Sequence, residues 1–197
     1  MSGVRLYIPE KIPPADHREI LRYAGVRGDA PELFPLLRDC LAELLPRLSY
    51  RAVWTELPLE EDHTYGFAER LRGCESVILM VATVGLAPDR AVARYGHTEP
   101  SRALLCSAIG TERVEALCDT LCEELPASMA KEGKELLPRF SPGYGDCPLS
   151  LQGKITSLLD TPRSIGVCVG ESLLLTPQKS VSAIVGVRKN KEWRIAP

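Results

Sequence analysis

The sequence contains no C-x-x-C pair, although it has 7 cysteines. An odd count, with no secretory leader ahead of it, argues against a disulfide framework. Cys118 and Cys122 are one helical turn apart and could in principle clamp a metal. A C-x-x-x-C-x-x-C cluster motif would need cysteine at 125, however, where Leu125 stands. Small buried apolar residues are the preferred reading for these cysteines. The 3 histidines, His17, His63 and His97, are far apart in sequence and form no ligand pair. Basic residues do not dominate either: 24 Lys and Arg face 26 Asp and Glu, for a formal charge of −2. No long cationic stripe exists, which excludes a nucleic-acid backbone as an expected partner. The longest largely apolar run, Val77 to Val84, is far shorter than the roughly 20 residues that span a bilayer. The opening MSGVRLYIPEKIPP has no apolar core behind a basic start, unlike a signal peptide. These absences lead to the expectation of a soluble, cytoplasmic protein.

What is present is an ordinary globular composition, 45% hydrophobic and 25% charged over 197 residues. Val4 to Ile8 reads as a short strand. Asp16 with Glu19 forms a capping-box pattern, and Gly25 closes the helix it opens. A second helix is expected from Asp29, with Leu33, Leu37, Cys40, Leu41, Leu44 and Leu45 on one stripe and Pro46 at its end. Tyr50 to Leu57 reads as a strand, and an acidic loop at Glu60 to Asp62 leads to a short helix around Phe67 to Arg72. Ser76 to Val84 is a continuous β-branched run, as in a strand buried on both faces. From Pro88 to Lys131 the pattern is helical, broken near Gly96 to Pro100. Its stripe is Leu104, Ala108, Thr111, Val114, Cys118, Leu121 and Leu125, with a kink expected at Pro126. Leu151, Ile155, Leu158 and Leu159 mark a short helix. Strands are expected at Ser164 to Val169, Ser172 to Leu175 and Ser182 to Val187. The sum is an α+β fold, with a twisted, mainly antiparallel sheet and several helices, in one domain over 1–197. Its N-terminal part, about 1–48, is helical.

The chemistry concentrates in Arg139 to Pro148, RFSPGYGDCP. Pro142 fixes its own φ and extends Ser141. Gly143 and Gly145 bracket Tyr144, so the backbone can turn sharply and come close to a ligand. Arg139 offers a planar fork for a carboxylate or phosphate, and Tyr144 a ring face for an organic cation. Pro148 suits the first turn of a helix whose N-terminus then points back at the loop. Asp146 adds a negative charge near that helix start. A tight structural turn with Arg and Tyr merely covering the surface remains the alternative on the residues alone.

Arg139-Phe140-Ser141-Pro142-Gly143-Tyr144 followed by Cys147-Pro148 resembles the R-x-x-P-G-Y-x-x-C-P signature of one family. That family is the S-adenosylmethionine-binding activation (reactivation) domain of cobalamin-dependent methionine synthase. Leu104 to Leu125, Leu151 to Asp160, Thr176 to Ser182 and the early Leu21 to Gly25 (LRYAG) are similar to family segments as well. The resemblance implies a cofactor site at Arg139, Ser141, Pro142, Gly143, Tyr144 and Gly145. Arg139 would take the cofactor's carboxylate, Ser141 would bind the nucleoside through its backbone, and Tyr144 would lie near the sulfonium and the corrin. It also implies reductive methylation of cobalamin carried by a separate methionine synthase or corrinoid protein, with a flavodoxin-like electron donor. The protein would then contribute positioning and no catalytic acid, base or metal ligand.

Three departures stand beside the match. Gly145 and Asp146 occupy positions where Pro and Ala are common in full-length enzymes. A tyrosine expected in the closing segment is replaced within Ala183-Ile184-Val185. The family's acid for the cofactor ammonium comes from the early part of the domain, where Glu10 and Asp16 are the candidates. An alternative of a different class keeps the fold but only senses the cofactor or scaffolds a corrinoid protein. A redox or metal protein would rest on the cysteines alone.

Overall fold

The structure, a computed structural model, describes residues 3–28, 30–59, 69–129 and 133–190. The expected helix start at Asp29, the acidic loop at 60–62 and the first part of the helix expected at 67–72 lie outside these residues. The described part of that last helix, from Glu69 onward, is a series of turns, with Cys74 N donating to Leu71 O at 3.0 Å.

A five-stranded antiparallel sheet runs in the order β1 (Arg5–Tyr7), β2 (Arg51–Pro58), β3 (Ser76–Thr83), β7 (Ser180–Lys189) and β4 (Lys134–Leu136). The central strand β3 is buried from Val77 to Thr83, because both sheet faces are covered. That explains its unbroken apolar run. On one face Ile78, Met80, Trp54 and Val185 pack against Val114, Leu117, Cys118 and Leu121 of helix α4 (Pro100–Met129). On the other face Val77, Leu79, Val81 and Ile184 pack against Leu151, Ile155 and Leu159, from and just after helix α5 (Leu151–Leu158).

Helix α4 has 30 residues and serves two cores. Its first turns carry Leu105, Cys106 and Ile109 into a third cluster with α1 (His17–Tyr23), α2 (Phe34–Leu44) and Ala91 of α3 (Ala87–Tyr95). The interruption expected near Gly96 to Pro100 separates α3 from α4. Pro126 does not end the helix, which continues to Met129. Leu104, placed on the apolar stripe by its spacing, is 51% exposed; Leu105 and Cys106 take the inner positions.

The N-terminal part is secured by caps and by a buried ion pair. Asp16 caps α1 through hydrogen bonds from Arg18 N at 2.9 Å and Glu19 N at 3.1 Å. The capping box is not reciprocal, since Glu19 turns to Arg22 and the Asp16 N–H donates to Glu112 Oε1 instead. Gly25 follows the helix at φ 77°, in the left-handed conformation that a helix end of this kind requires. Arg113, beside Glu112 on α4, grips that carboxylate and donates to Pro13 O at 2.6 Å. Helix α2 follows a 3₁₀ turn over Pro31–Leu33.

The C-terminal strands differ from the sequence expectation. Short helix α6 (Thr161–Ser164) ends where a strand was expected to begin. The 164–169 and 172–175 segments contribute only a two-stranded ribbon, β5 (Cys168–Val169) with β6 (Leu175–Thr176). The sequence gives no alternation long enough to place β4, a three-residue edge strand.

Candidate functional site

After β4 the chain continues alongside β7. Leu137 N donates to Gly186 O at 2.9 Å, and Phe140 exchanges hydrogen bonds with Ile184 at 3.0 and 2.8 Å. In extended backbone adjacent side chains take opposite faces. Phe140 accordingly packs against the α5-side core, while Arg139 reaches α4. The loop then makes two consecutive turns. Tyr144 N donates to Ser141 O at 3.3 Å around buried Pro142 and Gly143, whose φ is 90°. Proline followed by a positive-φ glycine is the type II pattern. Cys147 N donates to Tyr144 O at 3.2 Å around Gly145, whose φ is 63°. Gly143 N closes on Cys147 O at 2.8 Å, and Cys147 itself is buried, anchoring the loop in the core.

A residue with no motif around it holds the tip from outside. Arg70 Nε pairs with Asp146 Oδ1 at 2.9 Å, and its guanidinium stands 5.3 Å from the Phe140 ring centroid. A Cβ on Gly145 would lie 2.5 Å from Arg70 Nη2. The glycine therefore serves both the turn and the close approach of this arginine. Asp146, considered at the sequence level as a partner for a ligand or a helix-start charge, is engaged by Arg70.

Arg139 is also engaged. Its Nη2 donates to Glu115 Oε2 at 2.6 Å and to Asp119 Oδ1 at 2.8 Å, and its Nε lies 3.3 Å from Asp119 Oδ1. Burial disfavours its charge, but the hydrogen bonds to Asp119 and Glu115 outweigh that and hold the guanidinium above its ordinary range. Beneath the cluster Cys118 is fully buried, and burial pushes its thiol upward, so it stays protonated. Among the described residues, no group of three His, Cys, Asp or Glu side chains could hold a metal ion.

The expected site residues therefore divide. Arg139 belongs to the α4 face, whereas Ser141 to Gly145 wrap the edge of the sheet, with Tyr144 at the tip, 72% exposed. The ion-pair partners of Arg139 are Glu115 and Asp119. Asp16, a sequence candidate with Glu10 for an ammonium partner, caps α1 through its Oδ1. Helix α5 begins at Leu151, not at Pro148, and Ser150 provides no side-chain cap. The turns Leu151 N to Pro148 O and Gln152 N to Leu149 O occupy the intervening backbone. Ala183 and Val185, in the region where a tyrosine was expected, are buried against α4.

The closing segment adds a second cation. Lys179 Nζ donates to Ser107 Oγ at 2.9 Å and Thr111 Oγ1 at 3.0 Å, and burial holds its ammonium below the usual lysine range. Ser107, Thr111, Glu115 and Asp119 recur every four residues and so share one face of α4. At 1.5 Å per residue, the Lys179 and Arg139 ends of this stripe are separated by roughly 12 Å. The four-residue spacing was readable in the sequence, although only Thr111 of the four was singled out there, as packing. An open depression of about 620 Å³ near α1, lined by His17, Arg22 and Phe34 among others, includes no residue of the loop.

No family model matches the chain, and no curated protein sequence does. Among solved structures, the chain is similar to the crystal structure of the MetH reactivation domain bound to AdoHcy. The TM-score is 0.66 at 17% identity, covering 98% of this chain and 80% of that one. At that identity the likeness is one of fold: mixed helices and an antiparallel sheet in a single domain, arranged as in that reactivation domain.

Proposed function

We propose that this chain, with the fold of a MetH reactivation domain, binds S-adenosylmethionine along the Arg139 to Gly145 edge and supports reductive methylation of cobalamin carried by a separate corrinoid protein. One observation carries the reading. The R-x-x-P-G-Y segment resembling the activation-domain signature is folded as a double turn at a sheet edge, with Arg139 on one side and Tyr144 projecting from the tip. The AdoHcy-bound neighbour of like fold supports an adenosyl ligand.

In this reading the ligand's carboxylate meets Arg139 and its nucleoside lies along the Ser141 to Gly145 backbone. Tyr144, exposed and aromatic, attracts the sulfonium through its ring face. The partner's cobalamin would supply the methyl-accepting cobalt, and an external donor, replaced in the assay by a chemical reductant, the electron. This chain's residues bind and aim the sulfonium methyl. They need not exchange a proton with it, because the methyl group leaves sulfur directly for the acceptor and S-adenosylhomocysteine remains.

The test is calorimetry with S-adenosylmethionine on wild type and Arg139→Ala. Binding by wild type that weakens at least tenfold in the variant supports the reading. No binding by wild type at millimolar ligand overturns it. Anaerobic methyl transfer to reduced cobalamin on a corrinoid protein then separates reactivation from mere sensing.

A further inference from the structure

The two edges of the five-stranded sheet are unlike. At one edge β4 carries Lys134 and Glu135, held in ion pairs with Glu56 and Arg188. At the other edge β1 pairs only with β2 among the described residues. Successive side chains of β1 take opposite faces. Tyr7 packs into the α4-side core, and the Arg5 guanidinium stands 4.8 Å from the ring centroid of Trp54 in that same layer. Leu6 is opposite Val53 of the α5-side core, yet it is 57% exposed, with Val4 at 46% and Ile8 at 61%. Open edges are ordinarily guarded by lysine, by proline or by a bulge. Between Val4 and Ile8 there is no lysine or proline, and the register from Arg5 to Tyr7 is unbroken. Pro9 stands only at the far end.

We propose that a second copy of this chain closes the edge, β1 pairing antiparallel with β1 of the other copy about a two-fold axis through Leu6, into one continuous ten-stranded sheet. The residues select both the partner and the register. With the axis at Leu6, that residue faces its own counterpart, and Val4 of each copy faces Ile8 of the other. All three exposed apolar residues are then paired. On the opposite face Arg5 of each copy meets Tyr7 of the other, so no like charges are opposed. An axis at Arg5 would set the two arginines against each other. An axis at Tyr7 would set Val4 against Glu10 and Arg5 against Pro9. An axis between two residues would turn the α4 face of one copy to the α5 face of the other and oppose Leu6 to Arg5 or Tyr7. A partner of unrelated sequence would require no such symmetry about Leu6. The Arg139 to Gly145 loop flanks β7 and β4 at the far edge, so pairing at β1 is independent of what that loop binds. It would place the two loops at the outer ends of the joined sheet, on the order of 40 Å apart across the strands.

Five paired residues from each copy make a small interface, below the roughly 1,200 Å² of standard complexes, so the expected Kd is about 10–100 µM. Sedimentation velocity of the full chain, at concentrations on both sides of that range, reads the assembly. Wild type should pass from monomer to dimer, and Leu6→Lys should weaken the dimer about tenfold or more by placing a lysine on the edge. Because Leu6 is exposed, the substitution should leave the monomer's melting temperature unchanged. Cysteine variants read the register independently, in a Cys168→Ser background that removes the exposed native thiol. Directly opposed residues have Cβ atoms about 4.5–5.5 Å apart, within reach of a disulfide after small adjustment. Under mild oxidation Leu6→Cys should therefore crosslink to itself. Val4→Cys and Ile8→Cys should crosslink to each other when mixed, and neither should do so alone. A wild type that stays monomeric throughout overturns the proposal. So does a dimer that Leu6→Lys leaves intact, or one in which the Leu6 and Val4–Ile8 links do not form, because another surface or register would then hold it.

Discussion

Arg139 and Glu115 meet at 2.6 Å, joining the loop beyond β4 to the middle of α4 across 24 positions of sequence. The contact fixes one end of the loop, yet both side chains are partly exposed, at 22% and 32%. Ion pairs of this kind contribute about 0.2–1 kcal/mol. A double-mutant cycle with Arg139→Gln and Glu115→Gln should give a coupling energy in that range by urea unfolding. Binding of S-adenosylmethionine should fall much further in Arg139→Gln than stability does. A coupling of roughly 3 kcal/mol or more, as for a buried pair, would assign Arg139 to holding the fold.

Gly145 carries a second prediction, because its two constraints can be separated. Its φ of 63° disfavours any Cβ, and a Cβ there would also strike Arg70 Nη2. Gly145→Ala should cost about 1–2 kcal/mol for the left-handed conformation, plus whatever is lost when Arg70 shifts away from Asp146. In an Arg70→Ala background only the backbone part remains. Urea melts of the four proteins check this: the alanine should cost less without Arg70. Equal costs in the two backgrounds would show that the arginine yields freely and that backbone conformation alone demands glycine.

How much of this could be read in the sequence depends on the range of the interaction. Local signals were legible: Asp16 as a cap, Gly25 as a left-handed helix end, the break before Pro100 and the buried run of β3. The turn at Ser141 to Tyr144 was legible for the same reason, since Pro and Gly constrain their own φ. What the sequence does not contain is which distant side chain fills the remaining valence. Arg70 reaches Asp146 and Glu115 reaches Arg139 only because β2, β3, α4 and β7 stack in one order. A fork that looks free for a ligand in the sequence is thus clasped in the fold. The short β5–β6 ribbon was misread as longer strands because two-residue pairings leave no alternation to detect. Glu10 and Asp16 were singled out by their early position, which carries no distance information. In the fold Asp16 Oδ1 caps α1.

Glu112 and Arg113 are the most deeply buried ion pair among the described residues, with side chains 7% and 3% exposed. The arginine also donates to Pro13 O and Pro14 O, and Glu112 Oε1 accepts from Asp16 N. Removing one partner leaves the other charge buried and the entry to α1 untied. Arg113→Met should therefore destabilise the protein by about 3–5 kcal/mol. It should also make the segment before α1 sensitive to proteases well below the temperature of global melting. The double variant Glu112→Gln with Arg113→Met should recover part of the lost stability, because no isolated charge remains. Melting curves and limited proteolysis read the two effects independently. A single variant as stable and protease-resistant as wild type would mean that neither the pair nor its carbonyl contacts secure the N-terminal segment.

Cys118 predicts how stability responds to alkali. Burial raises its thiol pKa in the folded protein, and the nearby Arg139 opposes this only in part. Burial raises the thiols of Cys122 and Cys147 as well. In the unfolded chain a cysteine releases its proton near pH 8.5. A group whose folded pKa is raised contributes stability that is fully present below the unfolded value and is lost as pH rises above it. The folded state then holds protons that the unfolded state has released, so stability falls with pH at about 1.4 kcal/mol per unit for each such thiol. Urea unfolding between pH 7 and 10 should show this decline beginning near pH 8.5. Cys118→Ala removes one titrating group and should make the slope shallower by about 1 kcal/mol per unit above that pH, even though the variant starts from lower stability through the small cavity it leaves. An identical slope in the two proteins would mean that Cys118 ionises as readily folded as unfolded, which its complete burial in the core between the sheet and α4 permits only if the α4 face opens before the rest of the domain.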